Sequence, residues 1–191
     1  MSILFMILGI IAFIMYLLYD LDSIKHINRV FHKFFGGGIV LLIVSTAGIF
    51  AGSYQALHPA IARIILCGIP AGIFFALLVY TLFFALPFDE VYLNADTGPA
   101  RVCKTGMYAL CRHPGVLWLT GFYIFLAAAV PTASAVTAYI LFSALNILYV
   151  VLQDVWTFPR TFSEYGEYKK ETPFLLPTYK SLCCCIQTLR G

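Results

Sequence analysis

The sequence predicts an all-α, polytopic membrane protein with about five transmembrane helices. The 191 residues are 61% hydrophobic and 11% charged, with a mean hydropathy of +0.90, whereas soluble domains carry about 25% charged residues. Apolar stretches close to the roughly 20 residues of a membrane-crossing helix recur along the chain. If these stretches cross in alternation, eleven of the twelve basic residues lie on one side, as the positive-inside bias favours. We therefore treat residues 1–191 as a single membrane domain.

Five apolar stretches are the predicted spans, and each has its own features. In chain order they are Ile3–Tyr19, Gly37–Tyr54, Ile61–Phe88, Val116–Val130 and Ala133–Leu152. The first has no basic residue before it and no small-residue cleavage site after it, so we expect a retained span rather than a signal peptide. The second contains Gly48 and Gly52, a spacing that lets another helix approach closely.

The last two spans carry the polar features. The fourth needs its flanking residues to cross the membrane, and Pro114 before it suits the first turn of a helix. The fifth places Asn146, Tyr149 and Gln153 on one helical face, which should turn inward because it would be unfavourable against lipid.

The connection after the first span predicts an interfacial amphipathic helix. Its apolar residues recur at helical spacing beside a stripe formed by Lys25, Arg29 and Lys33. A solvated connection without a special role is the alternative. The run Gly36-Gly37-Gly38 predicts the end of this helix before the second span.

The same alternation predicts sidedness. The N-terminus should lie outside and the C-terminal tail, residues 178–191, in the cytoplasm, in the cell membrane of a prokaryote or the endoplasmic reticulum of a eukaryote. Residues 1–104 hold the first three spans, and residues 105–177 form a core with the last two. The basic residues are spread around the membrane surface and form no compact reading face, so we exclude nucleic acid as a partner. The cysteines lack metal-ligand spacing, and we expect free thiols and no metal.

The stretch Thr105–Pro114 is the first candidate site. Arg112 and His113 stand at the entrance of the fourth span, where charged groups usually face water, a partner or a ligand. The free amides of the following helix favour an anion close to Arg112. Asp154, at the end of the fifth span, should emerge on the same side; a static contact with Arg112 is the alternative.

These motifs carry a family resemblance that covers about residues 104 to 177. The integral-membrane methyltransferases of the isoprenylcysteine carboxyl methyltransferase and phospholipid N-methyltransferase group resemble this chain at Thr105-Gly106-Met107-Tyr108, Arg112-His113-Pro114, Phe162-Ser163-Glu164-Tyr165-Gly166-Glu167-Tyr168 and Pro173-Phe174-Leu175-Leu176-Pro177. The chain departs from the family at Val116 and Trp118, where tyrosine and glycine are usual, and at Gln153-Asp154, where two glutamates are usual.

The resemblance implies a methyltransferase that uses S-adenosylmethionine on the cytoplasmic side, with a lipophilic substrate entering from the bilayer. It implies catalytic roles for Arg112 and Asp154. The cofactor contacts it implies are Tyr108, Arg112, His113, Pro114, Gln153 and Asp154. Because the sulfonium already activates the methyl group, this chemistry needs neither a nucleophile nor a metal on the protein.

Two other functions stay open at this point. Membrane reductases of the sterol-reductase type share an Arg-His-Pro-containing core with this group, so the resemblance also allows a nicotinamide-dependent reductase. A non-catalytic membrane scaffold is the third hypothesis, and it predicts binding of neither cofactor. The leading function is methyl transfer to a lipid or lipid-linked acceptor, with membrane lipids as the surrounding partners.

Overall fold

Helices and turns make up the described part of the chain, which contains no strand. A computed structural model describes residues 2–25, 30–85 and 102–189, the side chains of Lys25 and His32 excepted. Four helices are long and apolar enough to cross a membrane. They are α1 (Ser2–Lys25), α2 (Phe34–Leu57), α3 (Ile61–Phe83) and α6 (Ala133–Leu152). The predicted all-α fold with several apolar spans is confirmed.

The predicted fourth span is a shorter apolar helix, α5 (Pro114–Ala129). Its 16 residues would extend only about 24 Å at 1.5 Å per residue, less than the roughly 30 Å of a hydrocarbon core. It packs along α3, where the ring of Phe74 lies directly against Gly121. After α5, the Thr132 hydroxyl accepts a hydrogen bond from the Ala135 amide at 3.2 Å and so caps α6.

The prediction that Gly36-Gly37-Gly38 ends a helix is wrong. The helix α2 begins at Phe34, so all three glycines lie inside it. A Cβ atom on Gly38 would come within 2.6 Å of the Tyr16 ring, and one on Gly37 within 2.7 Å of Met15. These glycines therefore let α2 approach α1 closely, as small residues do between membrane helices.

The described residues around this connection contain no separate interfacial helix. The helix α1 runs unbroken to Lys25, and a 3₁₀ turn at Phe31–Lys33 leads directly into α2. The predicted stripe residue Arg29 lies outside the described residues, as do Arg101, Arg190 and the predicted end of the third span at Phe88. The described part of the third span ends its helix at Phe83.

Aromatic packing between α1, α2, α5 and α6 forms the core of the bundle. The rings of Tyr123 and Tyr139 stack with centroids 5.1 Å apart, and Phe142 lies 5.9 Å from Tyr123. The Tyr123 hydroxyl hydrogen-bonds to the Thr46 hydroxyl of α2, and the Tyr139 hydroxyl donates to the Thr46 carbonyl. The predicted close approach at Gly48 is present, against Phe5 of α1, whereas Gly52 has no neighbour within 4 Å of its would-be Cβ.

Short helices gather at one end of the bundle and position the candidate site. They are α4 (Met107–Leu110), α7 (Phe158–Thr161), α8 (Tyr165–Glu171) and α9 (Tyr179–Leu189). Tyr108 of α4 donates its hydroxyl hydrogen to the Thr81 carbonyl in the last turns of α3, at 3.2 Å. The start of α5 and the end of α6 lie at this same end, because Arg112 binds Asp154 across them.

Candidate functional site

The Arg-His-Pro turn is held in place by its backbone. Gly106 has φ +58°, a conformation that glycine adopts readily, and it precedes α4. After α4 the chain extends at Cys111, and the Arg112 amide donates to the Pro173 carbonyl at 2.9 Å. Pro114 then occupies the first turn of α5, as predicted. Arg112 and His113 are thereby fixed between the bundle and the C-terminal region of residues 158–189, which we call the tail.

Arg112 makes a two-pronged ion pair with Asp154. Its Nε lies 2.7 Å from Asp154 Oδ1 and its Nη2 lies 3.3 Å from Oδ2, while Nη1 donates to the carbonyls of Lys169 at 3.1 Å and Thr172 at 2.7 Å. Both side chains are buried, with 9% and 7% exposed. Every nitrogen of the guanidinium therefore has an acceptor, and the residue ties the tail to the end of α6.

Asp154 has two further partners, both from α8. The Tyr165 hydroxyl donates to Oδ1 at 2.7 Å, and Lys169 Nζ lies 2.8 Å from Oδ2 and 3.0 Å from the Asp154 carbonyl. Burial, followed by the contact with Asp154, raises the pKa of Tyr165 well above its usual value. We call Arg112, His113, Asp154, Tyr165 and Lys169 the Asp154 cluster. It places two cations against one carboxylate, so it carries an excess of positive charge.

His113 is the one member with an unused polar atom. It is 6% exposed, stacks on Phe158 at 5.6 Å, and meets the edge of Phe174 at 5.3 Å. Its Nε2 lies 3.5 Å from Asp154 Oδ1, the outer limit for a hydrogen bond, and it has no hydrogen-bond partner among the described residues. Burial is the main cause that lowers the pKa of His113 and outweighs the attraction of Asp154. The neutral imidazole is therefore favoured.

A single turn of π-helix at Gln153–Thr157 directs Asp154 and the residues beside it to different partners. Such turns are rare and occur often at functional sites. Asp154 faces Arg112, whereas Thr157 donates from its hydroxyl to Asp20 Oδ2 of α1 at 3.4 Å. The Tyr149 hydroxyl donates to Asp20 Oδ1 at 3.1 Å and accepts from Gln153 Nε2 at 2.8 Å. We call Asp20, Tyr149, Gln153 and Thr157 the Asp20 network.

The structure thus brings some of the predicted site residues together and not others. Arg112, His113 and Asp154 meet, with Pro114 directly behind them. Gln153 joins the Asp20 network instead. Tyr108 contacts α3 through its hydroxyl, and its carbonyl accepts from Tyr168 at 2.6 Å.

Sequence reasoning missed three contributors to this end of the bundle. Tyr165 lies in the motif of residues 162–168 and Lys169 directly follows it, and the resemblance implies no site role for either, yet both bind Asp154 directly. Asp20 is 3% exposed inside an apolar helix. The predicted first span ends at Tyr19, one residue before Asp20, whereas α1 continues to Lys25. An ionisable residue in an apolar span is by default a candidate functional residue, so a longer predicted span would have identified this acid.

Comparisons with protein-family models, with curated proteins and with solved structures gave no match to this chain. The family resemblance of the motif therefore stays a prediction.

Proposed function

We propose that this protein transfers a methyl group from S-adenosylmethionine to a lipid or lipid-linked acceptor, and that the Asp154 cluster binds the cofactor. The observation that carries the proposal is the convergence of Arg112 and His113 on Asp154 at the end of α6. Arg112 and Asp154 are 42 positions apart in sequence. Arg112 and His113 belong to a motif of the resemblance, and Asp154 stands at one of the two positions where glutamates are usual in the family. The apolar helices around the cluster suit an acceptor that arrives from the bilayer.

The chemistry of the cluster fits the amino-acid end of this cofactor. An α-amino acid presents a carboxylate and an ammonium side by side, which match Arg112 and Asp154 respectively. The excess positive charge from Lys169 favours a ligand with a carboxylate. The unpartnered Nε2 of buried His113 supplies one more hydrogen-bonding position for the ligand.

Binding requires the tail to move. All the Arg112 nitrogens are occupied, two of the bonds going to the carbonyls of Lys169 and Thr172. We expect a ligand carboxylate to compete with these neutral carbonyls, because a charged acceptor makes the stronger hydrogen bond. The segment that leads to Phe174, which covers Arg112 and His113, then acts as a lid.

These contacts give the cofactor and each residue of the site a separate role. The bound cofactor supplies an activated methyl group on its sulfonium. Arg112 and Asp154 orient the cofactor, and neutral His113 contributes a hydrogen bond at Nε2. Phe158 and Phe174 exclude water from the cluster. We place this end of the bundle in the cytoplasm, since Lys104, Lys169, Lys170 and Lys180 belong to it and positive residues favour that side.

A second candidate function has one observation in its favour. Because each guanidinium nitrogen of Arg112 already has an acceptor among the described residues, the Asp154 cluster is also suited to a static contact that joins the tail to the bundle. In that case the protein is a non-catalytic membrane scaffold. The same geometry then predicts no cofactor binding at all.

Titration of the purified protein in detergent with S-adenosylmethionine, and in parallel with a reduced nicotinamide cofactor, separates these functions. We expect saturable binding of the first alone. Binding of the nicotinamide cofactor alone would replace the proposal with the reductase, and binding of neither would leave the scaffold.

Two matched histidine variants test the site itself. His113→Asn should weaken S-adenosylmethionine binding about tenfold, the effect of one lost hydrogen bond of about 1.4 kcal/mol. His58→Asn is the control, since His58 is exposed, follows α2 at the opposite end of that helix, and has a positive φ that asparagine tolerates. Equal affinities in the two variants would remove His113 from the site.

A further inference from the structure

The last helix, α9, has three distinct faces. Ser181, Cys185 and Thr188 turn toward the protein, and Lys180, Cys184 and Gln187 form a polar, exposed side. The third side is apolar and also exposed. It consists of Tyr179 (85% exposed) and of Leu182, Ile186 and Leu189 (46% each). At 100° per residue these four positions form one continuous stripe, which we call the α9 stripe.

The protein-facing side of α9 is specifically anchored. The Gly106 amide donates to the Thr188 hydroxyl at 2.9 Å, and Cys185 packs in a buried cluster with Ala109 and Leu110. At the other end, Thr178 and Ser181 exchange hydrogen bonds that cap the helix: the Ser181 amide donates to Thr178 Oγ1 at 3.2 Å. The orientation of α9 about its own axis is therefore fixed, and the exposure of the stripe follows from it.

Trp118 links the cluster that holds α9 to the end of α3. Its ring packs against the cluster of Ala109, Leu110 and Cys185, and its indole N–H donates to the Thr81 hydroxyl at 3.0 Å in the last turns of α3. The helix α9 is therefore connected, through this cluster, to the end of a helix long enough to cross a membrane. The residues that end α3 there, Leu82, Phe83 and Phe84, are themselves exposed and apolar.

We infer that α9 is an interfacial helix that embeds the α9 stripe in the head-group and acyl boundary of the bilayer that holds the spans. A helix with one side on protein, one apolar side and one polar side matches a position where protein, lipid and water meet. Exposed apolar side chains are present both on the stripe and at the end of α3, to which α9 is connected through the buried cluster, and Lys180 on the polar side suits anionic head groups. The inference is independent of the proposed methyl transfer.

Spin labels on α9 test this placement in the full chain, reconstituted in vesicles of phosphatidylcholine with phosphatidylglycerol. The background replaces the accessible cysteines and keeps buried Cys111 and Cys185; burial raises the pKa of both thiols, that of Cys111 to about 12, so they label poorly. Labels go to Leu182→Cys and Ile186→Cys on the stripe, and to Gln187→Cys on the polar side.

We expect oxygen to relax the stripe labels more than a water-soluble nickel chelate does, and the reverse order at position 187. Equal chelate access at all three positions would overturn the inference, because the stripe would then face water. Protection of the stripe from both reagents would also overturn it, because a protein partner or a second copy would then cover the helix.

The native sequence offers a second test that needs no substitution. Cys184 is exposed on the polar side, and its neighbour Cys183 is half-buried at the edge of the stripe. In vesicles, a charged methanethiosulfonate should modify Cys184 faster than Cys183, because the reagent reaches the polar side from water and is excluded from the acyl boundary. Modification of Cys183 as fast as Cys184 would contradict the inference.

Discussion

Replacing Asp154 with asparagine tests how strongly the cluster holds the tail to the bundle. The side chain keeps its shape but loses its charge. One oxygen can still accept from Arg112 Nε and the Tyr165 hydroxyl, which lie at 2.7 Å each. The new amide nitrogen then faces two donors, Arg112 Nη2 and Lys169 Nζ. Arg112 is thereby left buried without a counter-ion.

The expected loss follows from the burial of each contact. The pair with Arg112 has side chains 9% and 7% exposed, so removing one partner should destabilise the protein by about 3–5 kcal/mol. Lys169 is 35% exposed, and solvent screening limits its share to below about 1 kcal/mol. Reversible unfolding in mixed detergent micelles measures the total. Limited proteolysis should also cut the tail near Thr172 faster, since Arg112 no longer holds its carbonyl as firmly.

Glu164→Gln is the matched control. Its carboxylate lies 4.0 Å from Lys104, and the two side chains are 46% and 33% exposed. We expect its removal to change stability by less than about 0.5 kcal/mol. If Asp154→Asn proved as mild as Glu164→Gln, with the tail equally resistant to protease, the buried ion pair would not be what holds this end of the molecule together.

Three further substitutions probe the bundle, the histidine and the Asp20 network. Gly38→Val should destabilise the α1–α2 packing by about 1–3 kcal/mol, since its Cβ would clash with a tyrosine ring at 2.6 Å; thermal unfolding in detergent measures this. His113 has a lowered folded-state pKa, so as pH falls below about 6.5 the unfolded chain takes up the proton first and stability falls; His113→Asn should flatten this slope in unfolding measured across pH. Tyr149→Phe should cost about 1–3 kcal/mol of unfolding free energy, because buried Asp20 loses a donor.

Each of these has a control on the same chain. Gly36→Ala should be neutral or stabilising, because no atom lies within 4 Å of its would-be Cβ, and equal effects at Gly36 and Gly38 would refute the packing role. His58→Asn should leave the acid slope intact; if it alone removed the slope, His113 would not be its source. Tyr54→Phe, at an exposed position, should change little. A loss as large as that of Tyr149→Phe would mean that removing any tyrosine hydroxyl lowers stability, and that the hydrogen bond to Asp20 is not the cause.

The family-like motif shows how far sequence reasoning reaches at the site. The positions of Arg112 and Asp154 at two span ends, and the alternation of the spans, were enough to predict that the two would emerge on the same side. Their contact is observed, at 2.7 Å. The placement of Gln153 was predictable in part. Its spacing put it on the same helical face as Tyr149, and the two are hydrogen-bonded at 2.8 Å. That Gln153 would join Asp20 through Tyr149, rather than the Asp154 cluster, depends on the contact between α1 and α6, which helical periodicity does not encode.

The sequence by itself determined the helical, membrane-type architecture, because apolar stretches of span length and a biased distribution of basic residues are properties of the chain in order. It also determined where the Arg-His-Pro turn would begin a helix. Only the tertiary structure decided that Gly37 and Gly38 lie inside α2 and pack against α1, that Asp20 joins Tyr149, and that Lys169 and Tyr165 complete the Asp154 cluster. These are contacts between residues far apart in sequence, and they depend on how helices rotate and approach each other, which local spacing does not encode.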